Sequence, residues 1–350
     1  MLYSERLERE TPTRFWLNNP TPGEVEKALK LGNSINVASN ANYVKRMLSE
    51  NETKQEAIQI IDDYIKKGIA EDHLIVALVA QHFLGKCARL FEPLFDKTDH
   101  REGWVAIQGN PFFDTDYDFM VEEARRFYDT APNIRVKFPA TAEAVSVLRT
   151  MTAEGKATLA TCGFSISYAK AAVTAYEEGI SRYQGEVPRL YVTSLAGPFD
   201  EYLGKYVKAR KIEISDELLT KAGCALSKKL YEMYEEDEKK EDYHLLSGCR
   251  FPYHCTELVT GDIHIVANYD FILKLNELDT PIEDHIHTLP SEEEVNELCE
   301  KLPAFAFAYR EEGEYLHWSL QPSAQYFRNY LRNGWNAALG TVKERRILNR

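Results

Sequence analysis

The chain has 350 residues, of which 44% are hydrophobic and 28% are charged, and its formal net charge is −13. This length allows a full hydrophobic core, and a single barrel domain often reaches this size. The acidic balance argues against nucleic acid and anionic membranes as partners, because both would repel the protein on average. We expect no membrane span, since no stretch approaches roughly 18 consecutive apolar residues. We also expect no secretion signal, since the first residues, M-L-Y-S-E-R, lack a basic region followed by an apolar one.

Short β-rich runs alternate with helical patterns along the chain, which is typical of parallel βαβ units. The long region of about 43–95 is helical, because its apolar residues recur at helical spacing. Residues after about 275 contain no further βα unit and are predicted to form helices. The predicted strands are 14–17, 34–38, 103–108, 133–138, 158–162, 189–195, 243–247 and 262–266. The other predicted helices are 22–31, 116–129, 141–154, 165–178 and 216–234.

Eight strands with intervening helices are the number that a closed barrel needs. The sequence therefore predicts an α/β fold, a (β/α)8 TIM barrel with a long helical insertion between the second and third strands. We predict that residues 1–275 form the barrel and that residues 276–350 form a helical C-terminal extension packed on it within the same domain. Catalytic groups of such barrels lie at the C-terminal ends of the strands.

Lys137 stands out at one of these ends, because it lies between the apolar residues Val136 and Phe138 in a strand that is followed by Pro139. A lysine inside a barrel is costly unless it is paired or used, since burial opposes the ammonium form. Desolvation lowers the pKa of a lysine, and the neutral amine attacks carbonyl groups to give an imine. The alternative is an outward lysine whose stem lies between helices and whose ammonium reaches water. The pattern alone leaves both interpretations open.

Residues 133–141, N-I-R-V-K-F-P-A-T, resemble the Schiff-base strand of the transaldolase family, whose pattern is roughly [IV]-x-[IV]-K-[ILV]-[PA]-x-T. Further resemblances follow in the family's order over roughly residues 14–275. Residues 16–20 resemble the family's first strand, residues 38–42 resemble T-T-N-P-S, and residues 105–110 resemble V-S-x-E-V-x. Residues 155–165 resemble G-I-x-x-N-x-T-L-x-F-S, residues 192–200 resemble S-P-F-V-G-R-x-x-D, and residues 245–250 resemble A-S-F-R. Because these matches are collinear, the chain is identified as a divergent member of that family.

The resemblance implies an enzyme of carbohydrate metabolism, including pentose phosphate chemistry, that makes or cleaves a C–C bond as a transaldolase or aldolase. Lys137 would be the nucleophile, and the protonated imine would act as electron sink without a metal or other cofactor. Gln108 and Thr161 would hold a water, and Arg250 would bind an anionic group such as phosphate. The implied catalytic positions are Lys137, Gln108, Thr161 and Asn18. The implied substrate-binding positions are Asn40, Asn110, Thr193 and Arg250.

Three positions depart from the family pattern. Asn18 replaces an aspartate, Gln108 replaces a glutamate, and Pro198 replaces the phosphate-binding arginine of the sixth strand. The last change leaves Arg250 alone, which keeps a non-phosphorylated or differently charged substrate open. An amide cannot accept and return a proton near neutral pH, and each lost acid–base group is typically worth about 10²–10⁴-fold in rate. A glutamine at position 108 resembles the pattern of the fructose-6-phosphate aldolase branch, which uses a water and a tyrosine instead of the glutamate. However, the position of that tyrosine on the sixth strand is occupied here by Leu195. The alternative hypothesis is therefore a catalytically degenerate barrel that acts as a sugar-binding or scaffold protein.

Other candidate sites have weaker support. His285 and His287 would place two imidazoles on one face of a strand, but no third ligand is evident nearby, and we predict no metal. Cys249, His254 and Cys255 are interpreted as a core region with inert thiols rather than a thiolate site.

The cysteines and the resemblance together give the expected setting of the protein. The six cysteines contain no CxxC pair, which favours reduced thiols in the cytoplasm. The expected partner is a small sugar or sugar phosphate, with no nucleic acid and no membrane. The resemblance also leaves a homo-oligomer open, since members of the family often assemble into dimers or larger rings.

Overall fold

The computed structural model describes residues 2–32, 34–278, 281–311 and 317–349. Eight strands in these residues form one closed parallel barrel whose order follows the chain. Every predicted strand is found close to its expected place, which confirms the predicted (β/α)8 barrel. The strands are β1 Arg14–Asn18, β2 Asn36–Ala38, β3 Val105–Gln108, β4 Ile134–Phe138, β5 Thr158–Ala160, β6 Leu190–Thr193, β7 Tyr243–Gly248 and β8 Ile263–Ala267.

Helices alternate with the strands and also form the C-terminal part of the described chain. The helices up to β6 are α1 Tyr3–Glu10, α2 Pro22–Leu31, α3 Tyr43–Ser49, α4 Lys54–Lys66, α5 Asp72–Lys97, α6 Tyr117–Tyr128, α7 Ala142–Ala153 and α8 Ile166–Ile180. The later helices are α9 Ala196–Arg210, α10 Asp216–Leu219, α11 Ala222–Glu235, α12 Pro252–Glu257, α13 Tyr269–Leu275, α14 Glu292–Lys301, α15 Pro303–Arg310 and α16 Pro322–Leu348. Two short 3-10 helices are Lys240–Asp242 and Trp318–Leu320.

The helical predictions need two corrections. The region predicted as one helical stretch over 43–95 is divided into α3, α4 and α5, and Gly68 with φ +82° lies at the second break. Helix α9 follows β6 directly, whereas the sequence predicts the next helix only at 216–234, a region that the structure divides into α10 and α11. Gly197 and Pro198 indicate a loop by composition, but both lie in the first turn of α9. Proline is tolerated in a first turn because the N–H groups there have no partner within the helix.

Short loops and side-chain caps fix the strand ends to the helices that follow. Only residues 139–141 separate β4 from α7, and the Thr141 side chain accepts a hydrogen bond from the Ala144 N–H at 3.1 Å. Ser165 caps α8 after β5 by accepting from the Tyr168 N–H at 3.2 Å. Such caps satisfy N–H groups that the helix itself leaves open. The C-terminal ends of β4 and β5 are therefore held tightly.

The chain forms two compact units. One comprises Met1–Trp16 with Phe138–Phe327, and the other comprises Leu17–Lys137 with Arg328–Arg350. The predicted helical C-terminal part is present as α14, α15 and α16. The proposed boundary between residues 275 and 276 stays a prediction.

Helix α5 is the one described helix that is long and apolar enough to cross a membrane. However, 61% of its apolar stretch is buried. Val76, Phe83 and Phe91 are fully buried, and the helix packs against α2, α4 and β3 of its own unit. Burial in a protein core accounts for this apolar composition without a lipid environment.

Candidate active site

Strand β4 alternates between apolar side chains and two cations, Arg135 and Lys137. Residues two apart on a strand share a face, so both cations lie on one face of the sheet. Lys137 is 8% exposed, and its Nζ donates a hydrogen bond to the backbone carbonyl of Ser39 at 3.0 Å. Ser39 follows β2, and β3 lies between β2 and β4 in the sheet. A lysine reaching outward between helices would not meet this carbonyl, so the exposed alternative is excluded.

Gln108 is the cross-strand neighbour of Lys137. The two residues are in register between the parallel strands β3 and β4, and both are buried. Paired residues of neighbouring strands project to the same face of a sheet. The residue that replaces the family's glutamate therefore lies beside the strand lysine.

Asn18 and Asn40 occupy the C-terminal ends of β1 and β2. Asn18 is the last residue of β1 and is partly exposed. The Asn40 N–H donates to Oδ1 of Asn19 at 2.8 Å, and Oδ1 of Asn40 accepts from the Asn42 N–H at 3.0 Å. These bonds leave the Asn40 amide nitrogen as its remaining side-chain donor.

Asn110 lies in the loop after β3, where its side chain holds the loop together. Its Oδ1 accepts from the Phe112 N–H at 3.0 Å, and its Nδ2 donates to Nδ1 of His73 at 2.9 Å. The same His73 nitrogen accepts from the Trp335 indole N–H at 3.1 Å, which joins the loop to α16. Asn110 is 3% exposed. Its expected contact with substrate stays a prediction, and its observed bonds are those of a loop-positioning residue.

Glu123 on α6 is a buried carboxyl group that no sequence motif indicates. Its Oε2 accepts from the Asn110 N–H at 2.9 Å. Burial raises the pKa of Glu123 to about 7, against the opposing effects of the Asn110 N–H and Arg126. A Cβ at Gly109 would lie 2.0 Å from Oε2, so glycine is needed for this close approach. In sequence, Glu123 is indistinguishable from its neighbour Glu122, which is exposed.

Thr161 and Thr193 are brought together in the other compact unit. Oγ1 of Thr193 donates to Oγ1 of Thr161 at 3.2 Å, and both residues are buried. Cys162 and Leu195 follow the two strands with φ values of 63° and 44°, in the left-handed region. Such strain in non-glycine residues is often found at functional sites. These two hydroxyl groups are thus held at strained strand ends.

Tyr168 on α8 connects the ends of β4 and β5. Its hydroxyl donates to the Thr161 carbonyl at 3.0 Å and to the Phe138 carbonyl at 3.3 Å. Burial raises the pKa of Tyr168 well above its usual value, so the hydroxyl remains a proton donor in these bonds. The Tyr168 ring packs directly on Gly163, where a Cβ would lie 1.7 Å from Cδ1 of the ring. This contact could not be predicted from the sequence.

Arg250 follows β7 and is partly exposed at its side chain. A Cβ at Gly197 would lie 2.3 Å from Cγ of Arg250, so the arginine stem packs on the start of α9. Within the described chain, the buried Nε of Arg250 has no hydrogen-bond partner and lies 3.7 Å from Oε1 of Glu201. The side chain as a whole is 23% exposed, which an arginine that binds an anion requires.

Cys249 and Cys255, which flank Arg250 in sequence, are both buried. Burial raises the pKa of Cys249, which disfavours the reactive thiolate. These observations support the interpretation of inert thiols. His254, from the same segment, is buried, and its Nε2 lies 2.9 Å from Oδ2 of Asp200.

The His285 and His287 pattern does not form a metal site on a strand. Residues 281–291 contain no strand, and His287 hydrogen-bonds Asp284 and Glu235 instead. The hydrogen bond to Asp284 raises the pKa of His287. The chain reverses here without β structure, so the two imidazoles lack the shared face that strand spacing would have given them.

A different cluster, His244, Asp262 and His264, brings three candidate ligand atoms within 4.8 Å of one another. The Trp16 indole N–H donates to Nδ1 of His264 at 2.9 Å, and Arg189 donates to Nε2 of His244 at 2.8 Å. A nitrogen that accepts a hydrogen bond places the proton on the other ring nitrogen, which then lacks a lone pair for a metal. We therefore assign no metal to this cluster.

The fold makes the protein a (β/α)8 barrel with a buried lysine on its fourth strand. The sequence model of the Transaldolase/Fructose-6-phosphate aldolase family matches residues 15–308. The chain belongs to this family, which confirms the resemblance found in its motifs.

Three relatives named transaldolase show how far the chain has diverged. The protein of Thermobifida fusca is 25% identical over 221 residues, which cover 61% of this chain and 59% of that protein. The protein of Kocuria rhizophila is 25% identical over 223 residues, covering 62% and 60%. The protein of Thiobacillus denitrificans is 27% identical over 250 residues, covering 66% and 69%. The chain thus matches about three-fifths of the length of the first two relatives.

Proposed function

We propose that the protein is a transaldolase-like class I enzyme in which Lys137 forms a Schiff base with a ketose or another carbonyl substrate. The observation that carries this proposal is the buried Lys137 amine, which is bonded to the Ser39 carbonyl and lies next to Gln108. Membership of the transaldolase and aldolase family supports it, as do the names of the relatives. The reaction makes or cleaves a C–C bond.

The chemistry follows from the amine. Its lone pair attacks the substrate carbonyl carbon, and loss of water from the carbinolamine gives a protonated imine. The bond between the carbon next to the imine carbon and the hydroxyl-bearing carbon beyond it then breaks. Its electron pair forms the C=C bond of an enamine while the π pair of the imine moves to nitrogen. The hydroxyl of the departing carbon gives its proton to the active-site water, and that carbon leaves as an aldehyde. The remaining enamine adds to an acceptor aldehyde, or it takes up a proton and is released by water. The first course is transfer and the second is aldol cleavage.

Catalytic groups of such barrels come from several strand ends, and we assign the roles accordingly. Gln108 and Thr161 hold the water that carries protons, since neither side chain can itself act as an acid or base near neutral pH. Thr193 orients Thr161 through their hydrogen bond and contacts substrate hydroxyl groups. Asn40 donates to a substrate hydroxyl through its amide nitrogen. Asn18 occupies the position of the family's aspartate.

Arg250 binds the anionic end of the substrate. Its side chain is partly exposed, and Pro198 removes the second arginine that the family pattern places on the sixth strand. We propose that the substrate is a sugar phosphate whose phosphate is bound by one arginine, and that it is converted in the cytoplasm as part of carbohydrate metabolism.

The proposal is tested by turnover of fructose 6-phosphate with and without an aldose phosphate acceptor. We expect the wild type to convert the sugar and Lys137→Arg to lose this activity. Lys170→Arg is the matched control, because Lys170 is an exposed residue paired with Glu311. Turnover without acceptor indicates aldol cleavage, and turnover that needs the acceptor indicates transfer. Equal activity in Lys137→Arg, or sugar binding without any turnover in the wild type, would contradict the proposal and favour the degenerate barrel.

A further inference from the structure

One buried imidazole holds the backbone of the loop that carries Arg250. The N–H groups of Arg250 and Phe251 both point to Nδ1 of His254, at 3.1 and 3.0 Å. His254 is 0% exposed. Because a nitrogen that accepts two hydrogen bonds carries no proton, His254 is neutral and its proton lies on Nε2.

That proton is directed to a buried carboxylate. Nε2 of His254 lies 2.9 Å from Oδ2 of Asp200 on α9. Asp200 also accepts from the Gly223 N–H at 2.7 Å and from the Tyr253 hydroxyl at 2.6 Å. A buried carboxylate with three donors is fixed in place, and it fixes the tautomer and orientation of the imidazole. The carboxylate thus determines which nitrogen of His254 accepts hydrogen bonds.

This arrangement bears on substrate binding because Arg250 acts without a second arginine. Its backbone is held by His254, and its stem is packed on Gly197 at the start of α9. Asp200 lies on the same helix as Gly197. The position of the guanidinium therefore depends on α9 through a contact at the backbone and a contact at the stem, in addition to the 3.7 Å approach of its Nε to Oε1 of Glu201 on the same helix.

We propose that Asp200 and His254 are positioning residues that place Arg250 for the anionic group of the substrate. This inference rests on the proposed function in one respect, the assignment of Arg250 to that group. Asp200 and His254 act through Arg250 and do not take part in the attack of Lys137. They therefore govern the affinity for a phosphorylated substrate and leave the chemical step unaffected.

A purely structural alternative is that His254 only caps the six-residue helix α12. Two substitutions of His254 distinguish the hydrogen bonds of Nδ1 from the hydrogen bond of Nε2. The amide oxygen of His254→Asn falls near the place of Nδ1 and still accepts from the loop, but the bond to Asp200 is lost. The longer side chain of His254→Gln reaches the place of Nε2 and donates to Asp200, but the two loop N–H groups lose their acceptor.

The experiment measures KM and kcat of both variants with fructose 6-phosphate and with fructose. We expect His254→Gln to raise KM for fructose 6-phosphate about 10-fold or more, with KM for fructose and both kcat values little changed, because only a charge-assisted contact is displaced. His254→Asn should stay within about threefold of the wild type, since one retained acceptor costs little. Asp200→Asn, which keeps the shape of the side chain but removes its charge, should also raise KM for fructose 6-phosphate and leave KM for fructose little changed. Tyr253→Phe is the control, since it removes one donor to Asp200 and leaves the loop bonds intact.

Binding of inorganic phosphate, measured by the shift in melting temperature, is a second readout that needs no turnover. We expect the shift to be present in the wild type and lost in Arg250→Met and His254→Gln. Equal rises of KM for both sugars, or a lower melting temperature with an unchanged ratio of the two KM values, would show a merely structural role and overturn the inference. A wild type that does not favour the phosphorylated sugar would also overturn it. Failure of the proposed function is distinct, because the wild type would then convert neither sugar even where phosphate binding depends on His254.

Discussion

The Tyr168 hydroxyl lies 3.3 Å from the backbone carbonyl oxygen of Phe138, the residue that follows Lys137. The same hydroxyl donates to the Thr161 carbonyl at 3.0 Å, and Phe138 in turn accepts from the Thr161 N–H at 2.8 Å. One buried phenol thus stabilises the ends of two neighbouring strands that carry proposed catalytic residues. The strand end next to Lys137 is thus supported through backbone groups by a tyrosine on α8.

Tyr168→Phe is expected to lower the free energy of unfolding by about 1–3 kcal/mol, because two buried carbonyl groups lose a donor and the ring is retained. Urea unfolding measures this change. Tyr183→Phe is the control, since Tyr183 is 39% exposed. A loss no larger than in the control would show that the Tyr168 hydroxyl does not support the strand ends.

Glu123 predicts a specific pH dependence of stability. Its pKa is about 7 in the folded protein and 4.5 in the unfolded chain, so between these values the unfolded chain releases a proton that the folded protein keeps. Stability therefore falls as pH rises through this window, and the full loss of about 3 kcal/mol is present above it. Relative to Glu123→Gln, the wild type should lose this amount from about pH 4 to about pH 8.

The Glu123 experiment compares denaturant unfolding of both proteins across the pH range. Glu122→Gln is the matched control on the same helix, because Glu122 is exposed and should show no such difference. A constant difference between the wild type and Glu123→Gln at every pH would mean that the buried carboxyl does not titrate in this window.

Gln108→Glu tests whether the amide beside Lys137 limits turnover. A carboxylate at this position can move protons to and from the reacting water, so kcat should rise by about 10²-fold, the lower end of the range for general acid–base catalysis. Asn18→Asp restores the second carboxylate of the family pattern, and the double variant should exceed both single variants. Steady-state kinetics with fructose 6-phosphate measure these changes. If Gln108→Glu lowers kcat, the glutamine is itself adapted to the reaction and the amide is not a deficit.

The barrel and its lysine could be predicted from the sequence because both produce patterns between residues that are close along the chain. Eight β-rich runs alternate with helical spacing, and β4 shows a lysine between apolar residues before Pro139. Helix α9 was missed because Gly197 and Pro198 indicate a loop by composition, although both are acceptable in a first turn.

The supporting residues could not be predicted in the same way. Tyr168, Glu123 and His254 act through backbone groups that lie near them only in the folded chain, and each belongs to a residue type that is common on ordinary helices. The hydrogen bonds of Asn110 to His73 and to its own loop likewise depend on tertiary contacts. Spacing along the chain carries no signal for such bonds.

The most direct test of the account is covalent trapping of Lys137. The wild type is incubated with dihydroxyacetone, fructose 6-phosphate or fructose, reduced with borohydride and digested, and the modified peptide is identified by mass spectrometry. We expect a reduced adduct on Lys137, no adduct in Lys137→Arg, and an unchanged adduct in Lys170→Arg. An unmodified Lys137 peptide with every carbonyl compound tested, in a protein that remains folded, would contradict the central claim.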